Sequence, residues 1–209
     1  MVLGTVHSIW RYPVKSLHFE ALDAADVEPA GVRDDRTAAY FVGSPDRPRF
    51  GKEFRGKENP TLHLLSDGPD VQAAAQHARV DIERREGDRF FDAAPISILF
   101  DRWLVELSEH VGYAVEPLRF RPNFFAVASP EFSGDEKALP GRVLNAGTVT
   151  LRVRKPIERC AVPTFDLHGG PSDPRILRFI VQQRENIMGI YCDVVEPGVI
   201  RIGDAIASS

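Results

Sequence analysis

Asn145-Ala146-Gly147-Thr148-Val149-Thr150-Leu151-Arg152-Val153-Arg154-Lys155-Pro156-Ile157-Glu158-Arg159-Cys160 begins with a turn signal and then alternates polar and apolar residues. The alternation over residues 148–153 predicts a strand with one buried face. Four cations, Arg152, Arg154, Lys155 and Arg159, then crowd into the run that ends on Cys160. Pro156 and Pro163 flank the cysteine and predict a fixed loop just after the strand. A thiolate is the reactive and metal-ligating form of cysteine, and neighbouring cations favour it. The alternative is a buried structural cysteine, a common fate of a free thiol. These local features leave both readings open.

The same period-2 pattern recurs outward along the chain. Residues 6–12, 21–28, 37–42, 191–195 and 199–202 read as strands, as do a short piece at 62–66 and the apolar run after Asn123. Residues 80–85 and 89–92 read as a hairpin across Glu86-Gly87-Asp88. Residues 71–79 read as a short helix. Apolar residues at Ile98, Leu99, Trp103, Leu107 and Val111 predict a helix over 97–111. A second helix is signalled by Ser172-Asp173-Pro174, a capping residue before proline, with Ile176, Leu177, Ile180, Val181 and Arg184 at helical spacing. The 16 glycines and 16 prolines fall mostly between short apolar stretches, the punctuation of a turn-rich β protein. The polar segment 43–59 has the length of a functional or mobile loop. The fold class is therefore mainly β, with a few short helices. The texture changes near residue 93 without a linker, which divides the chain into 1–92 and 93–209 with shared packing.

The bulk properties bound the function. The chain has 209 residues, 43% hydrophobic and 27% charged, ordinary values for a globular protein with a real core. A net charge of −4 gives no general nucleic-acid footprint. No apolar run is long enough to span a bilayer, and the start lacks the layout of a signal peptide, so a cytoplasmic protein is expected. Two cysteines cannot hold a four-cysteine iron–sulfur cluster. Any electrons must then come from another protein. Cys192, alternating with Ile190 and Val194, reads as core.

Further candidates are anion-binding side chains. Lys15-Ser16 follows a strand and makes a plausible anion corner, and Arg36 offers a planar fork suited to phosphate. Taken singly, each also fits plain surface charge. Arg119-Phe120-Arg121-Pro122-Asn123 sets Arg121 beside a proline-fixed backbone, or else on an exposed edge strand. His63, His77, His110 and His168 form no pair at metal-ligand spacing in the sequence.

Read in order, several stretches resemble the MOSC superfamily with its N-terminal β-barrel module. The resemblance is greatest to the group of mitochondrial amidoxime-reducing components and their bacterial relatives. They are Tyr12-Pro13-Val14-Lys15-Ser16, Gly31 with Asp35-Arg36, Ala94-Pro95-Ile96, Phe120-Arg121-Pro122-Asn123, Arg159-Cys160 with Thr164 and Asp166, and 196–204. The resemblance implies a MOSC β-barrel that holds a molybdenum–molybdopterin cofactor, a molybdenum bound by a pyranopterin dithiolene. It makes Cys160 the thiolate ligand of the metal and the catalytic position, a role suited to a soft donor. Lys15, Ser16, Arg36, Arg121, Asn123 and Tyr191 are implied to bind the cofactor. The implied function is an oxidoreductase that removes oxygen from N-hydroxylated or related N–O or S–O small molecules. Its electrons would come from an external ferredoxin- or flavin-type reductase. A cofactor carrier or sulfur-transfer module is the alternative. So is a MOSC-fold binding protein without the metal, because three positions depart from the family pattern. Phe100 and Trp103 stand where relatives carry small hydroxylated residues, and Glu158 precedes Arg159. These departures predict a narrowed, more acidic site.

Overall fold

The computed structural model describes residues 1–55, 59–87 and 89–208. The chain runs β1 (Val2–Arg11), β2 (Glu20–Leu22), β3 (Ala24–Glu28), β4 (Gly31–Val32), β5 (Ala38–Val42), α1 (Pro69–His77) and β6 (Ile82–Glu86). It continues as β7 (Ile96–Phe100), α2 (Arg102–Val111), β8 (Phe124–Ala128), β9 (Val143–Ala146), β10 (Val149–Glu158), α3 (Pro174–Gln183), β11 (Ile187–Glu196), β12 (Gly198–Arg201) and β13 (Ala205–Ser208).

Seven strands close a barrel in the order β1-β8-β7-β11-β10-β9-β13, and β13 pairs back onto β1. Closure removes the exposed edges that an open sheet would present. Every pairing in the ring is antiparallel except β7 with β8. Those two strands are joined through α2, because parallel neighbours need a crossover longer than a hairpin turn. Inside lies a continuous core that includes Leu3, Ile98, Phe100, Phe124, Leu151 and Met188. A smaller core of Val14, Leu17, Tyr40, Phe54, Leu62 and Val71 gathers under the β5–β6 ribbon and α1. The N-terminal half is woven into the barrel: β1 lies between β8 and β13, and β3 pairs with β12.

The predicted strand at 148–153 is longer, extending to Glu158. Its alternation holds while Val149, Leu151 and Val153 are buried and Arg152 and Arg154 are exposed. It is then broken by register shifts between Val153 and Lys155 and between Pro156 and Glu158. Such bulges bend a strand at a barrel rim and tolerate proline. They hid the strand's end from a period-2 reading, and Arg159 and Cys160 follow directly after it.

The helix expected over 97–111 is two elements. Residues 96–100 are buried on both faces as β7, and only the part from Arg102 is helical. A short apolar run buried on both faces carries no period to separate strand from helix. Trp103, Leu107 and Val111 do line the buried side of α2. The strand expected at 62–66 is a 3-10 turn, Leu62–Leu64. The hairpin expected at 80–92 does not form. β6 pairs with β5 instead, residues 89–92 are not a strand, and Asp88 of the expected turn lies outside the described residues. Cys192 is fully buried on β11, as its alternation predicted, and burial pushes its thiol pKa up. Among the described residues, no helix is long and apolar enough to cross a membrane.

The N-terminal cap of α3 follows the sequence signal. The Asp173 carboxylate accepts from the Arg175 backbone N–H at 3.0 Å and from the Tyr113 hydroxyl at 3.0 Å. Its bonds with the Arg175 side chain, then with that N–H and Tyr113, hold its pKa down to about 2 from 3.8. A depressed carboxylate adds stability above the unfolded pKa and loses it as pH falls through the folded one. Asp173→Asn keeps the shape and part of the capping, so the wild type should lose roughly 1–2 kcal/mol more than this variant between pH 4 and pH 2. Urea denaturation of both proteins across that range measures the difference. Parallel pH profiles would remove this role of Asp173.

Candidate functional site

The site is organised behind one buried carboxylate. Asp35 is 2% exposed. One of its oxygens accepts from the Tyr12 backbone N–H at 2.7 Å. The other accepts from Asn123 Nδ2 at 3.1 Å and pairs with the Arg36 guanidinium. Tyr12 is fully buried and donates its hydroxyl to the Pro122 carbonyl at 3.0 Å. Two guanidiniums lie over its ring, Arg36 at 4.7 Å and Arg121 at 4.2 Å from the centroid. Cations over an aromatic face are attracted to its negative quadrupole. The ring therefore lets two like charges sit close together. Asn123 continues the hub: its Oδ1 accepts from both the N–H and the hydroxyl of Ser97 on β7.

In front of this hub opens a cavity of about 380 Å³. Among the described residues, its wall carries Lys15, Arg36, Arg55, Arg119, Arg121, Lys155 and Arg159 against two carboxylates, Asp92 and Glu158. Cys160 is exposed on the same wall, beside Ser16, Ser97 and Tyr191. Lys15 is already paired, with Glu53 at 3.0 Å and Asp92 at 2.8 Å. Burial lowers the pKa of both Arg121 and Arg159 to about 10; for Arg121 the neighbouring charge of Arg36 adds to the effect. Burial is the strongest single pull on Arg36 and lowers its pKa, but Asp35, Tyr12 and Tyr191 together raise it above the ordinary value. Positive charge is thus held close in the wall, where an incoming anion is stabilised most.

Arg159 is fixed from behind. Its Nε donates to the Met188 carbonyl at 2.6 Å and its Nη1 to the Phe120 carbonyl at 3.1 Å. Gly189 beside it has φ +96°, and a Cβ there would stand 2.7 Å from Arg159 Nη2. Only glycine lets the guanidinium lie against β11. The Gly189 N–H donates to buried Glu136 at 2.8 Å, and Arg184 braces Glu136 at 3.2 Å. The Cys160 loop is clamped by Arg119, which donates to the Phe165 carbonyl at 2.5 Å and the Asp166 carboxylate at 2.9 Å. His63 adds a bond to the Asp166 carbonyl at 2.8 Å.

Six of the seven residues singled out in the sequence, Cys160, Lys15, Ser16, Arg36, Arg121 and Tyr191, line this one cavity. Asn123 does not. It is 1% exposed behind the wall, with its amide bonded to Ser97, Asp35 and Trp10. Ser16, Arg36 and Arg121 share φ values of +70°, +51° and +52°. Non-glycine residues there cost about 1–3 kcal/mol each and gather at functional sites. Phe100 and Trp103 do not narrow the cavity. Both are buried in the barrel core, 5.1 Å apart between ring centroids and packed with Phe132. Glu158 does line the cavity, as expected. Of the four cations before Cys160, Lys155 and Arg159 line it, whereas exposed Arg154 binds Asp193 and Arg152 faces outward on β10. Arg119 and Arg159 lay inside motifs already noticed in the sequence. Arg55, from the polar loop, and His63 had no distinguishing local signal.

A family model described as the MOSC domain matches residues 86–207, and one described as the MOSC N-terminal beta barrel domain matches residues 3–91. No curated protein matches the chain. Among solved structures, the YuaD protein from Bacillus subtilis is 18% identical, with a TM-score of 0.60, over 97% of this chain and 93% of that one. YiiM from Escherichia coli is 12% identical, with a TM-score of 0.49, over 100% and 70% of the two chains. YiiM from Geobacillus stearothermophilus is 22% identical, with a TM-score of 0.45, over 56% and 54%. The YuaD comparison supports the fold.

The hub makes a direct prediction. Asp35→Asn keeps the side-chain shape but removes the charge facing Arg36 and points an N–H₂ group at existing donors. Breaking one partner out of a buried ionic network costs about 3 kcal/mol. The urea midpoint should fall accordingly with an unchanged m value; an unchanged midpoint would show that Asp35 does not hold the hub.

Proposed function

The chain belongs to the MOSC domain family, and from that premise we propose that it is a molybdenum-cofactor oxidoreductase acting on N-hydroxylated or related N- or S-oxygenated small molecules. The family at large comprises molybdenum cofactor sulfurase-like and cofactor-binding domains. The observation that carries the proposal is Cys160, exposed at a cavity into which Arg36, Arg121 and Arg159 are fixed.

The residues present fit the cofactor implied by the family. A thiolate is the donor a soft metal takes, and Cys160 is the one cysteine at the cavity among the described residues. A molybdopterin carries a phosphate, which needs fixed cations. Arg36 and Arg121 offer planar forks for it, Ser16 a hydroxyl, and Lys15 a charge it shares with Glu53 and Asp92. When bound, the cofactor supplies two-electron removal of an oxygen atom from the substrate. The overall change breaks an N–O bond, consumes two electrons and two protons, and releases water. An external ferredoxin- or flavin-type reductase provides the electrons.

The protein's own part is positioning and electrostatics. Arg159, fixed by the Met188 and Phe120 carbonyls, holds positive charge next to Cys160 and favours an anionic centre there. Arg119 and His63 keep the Cys160 loop in place. Glu158 works against anions at the mouth and favours substrates that are neutral or cationic near the reacting oxygen.

After expression in a host that makes the cofactor, the wild type should carry close to one molybdenum per chain, and Cys160→Ala should lose most of it, while the cofactor-free forms of the two proteins share one urea midpoint. With an added reductase, only the wild type should consume an N-hydroxylated substrate. Metal analysis and substrate depletion read the two separately. Equal metal and turnover in both proteins would remove Cys160 from the site, and metal without turnover would favour a cofactor carrier.

A further inference from the structure

A second cavity of about 250 Å³ lies beside the first, and nothing in the proposed reaction uses it. His63, Arg119, Arg121, Val162 and Phe165 line both cavities and form the partition between them. The far walls are different in kind. They are apolar and ring-bearing, with Tyr12, Phe19, Leu118 and Leu167, and they hold none of Lys15, Arg36, Lys155 or Cys160.

Its shape and chemistry select an occupant. Pockets for drug-sized ligands run about 300–1,000 Å³, so this one suits a molecule of one or two fused rings. Flat faces are available. His63 lies nearly parallel to Phe165, with an interplanar angle of 19° and centroids 6.1 Å apart. Phe19 stands 4.5 Å from the His18 ring. At the partition the cavity turns cationic. Arg119 is only 5% exposed, and two of its nitrogens hold Phe165 and Asp166. Its Nε is buried with no hydrogen-bond partner. Arg121 adds a second positive charge to the same wall. The carboxylate lining this cavity among the described residues, Glu116, is 44% exposed and lies 3.5 Å from His168.

We propose that this second cavity binds a small flat aromatic anion, of the aryl carboxylate class. The ring packs against Phe165, His63 and Phe19, and the carboxylate meets Arg119 and Arg121. The site shares Arg119 and Arg121 with the Cys160 cavity through the partition, while Phe19, Leu118 and Leu167 belong to it alone. Arg119 and His63 also clamp Phe165 and Asp166 on the loop that follows Cys160, so an occupant braces that loop from its other side.

The test is an amide-resolved NMR titration of the full-length protein with 2-naphthoate, cyclohexanecarboxylate and 2-naphthalenemethanol. Naphthoate should give saturable shifts at Phe19, Leu118 and Leu167, ahead of any at Lys155 and Glu158. Each comparison compound lacks either the flat ring or the charge and should bind about tenfold more weakly. Leu167→Trp, which fills the cavity from a half-exposed position, should abolish the shifts. Arg119→Gln, which removes a clamp on Phe165 as well as a charge, should weaken naphthoate more than it weakens the neutral alcohol. The proposal is overturned by first shifts in the Cys160 cavity, by equal binding of cyclohexanecarboxylate, by unaltered binding in Leu167→Trp, or by no saturation up to about 10 mM.

Discussion

The carboxylate of Asp35 ties three separate parts of the chain into one object. It receives the Tyr12 N–H from the end of β1, the Asn123 amide from the start of β8, and the guanidinium of Arg36. A buried charge is tolerable only when paired and hydrogen-bonded, and here every bond it accepts also places a residue of the site. Tyr12 carries Arg36 and Arg121 over its ring, and Asn123 fixes Ser97 at the cavity wall. The cavity's cations are therefore held in position by the fold. Guanidiniums held in advance need little reorganisation when an anion arrives.

That arrangement has a cost, visible elsewhere in the molecule. Three residues on the wall adopt left-handed backbone conformations without being glycine, and Arg121 and Arg159 have lowered pKa values through burial. Glu136 is raised by burial in spite of Arg184 and the Gly189 N–H, yet it still braces β11 behind Arg159. The closed barrel and its continuous core supply the stability that such a site consumes. Arg159 and Cys160 enter the site directly after the irregular end of β10, where its register with β11 shifts.

Much of this was legible in the sequence, and the failures have physical reasons. Clean alternation or a capping signal located β1, β10, α3 and the buried Cys192. The reading failed where burial is two-sided, as in β7, whose five buried residues look like part of the helix that follows. It failed again at residues 80–92, where local turn chemistry suggested a hairpin but β6 found a partner distant in sequence. For the site, ordered motifs indicated six residues that line one cavity. Asn123 was read as a ligand contact but lies behind the wall, because a motif shows that a residue matters without showing which way it points. The substitution of Phe100 and Trp103 for small hydroxylated residues suggested a blocked pocket. Both rings instead pack inward around Phe132. Arg55 and His63 reach the cavity only through tertiary folding, which no local pattern encodes.

The central claim is that Cys160 presents its thiolate to a metal inside a preset cationic cavity. X-ray absorption at the molybdenum edge of cofactor-loaded wild type and Cys160→Ser tests it most directly. The account predicts that the variant's metal, where retained, has one fewer sulfur neighbour than the wild type's. An identical sulfur shell in the two proteins would contradict it.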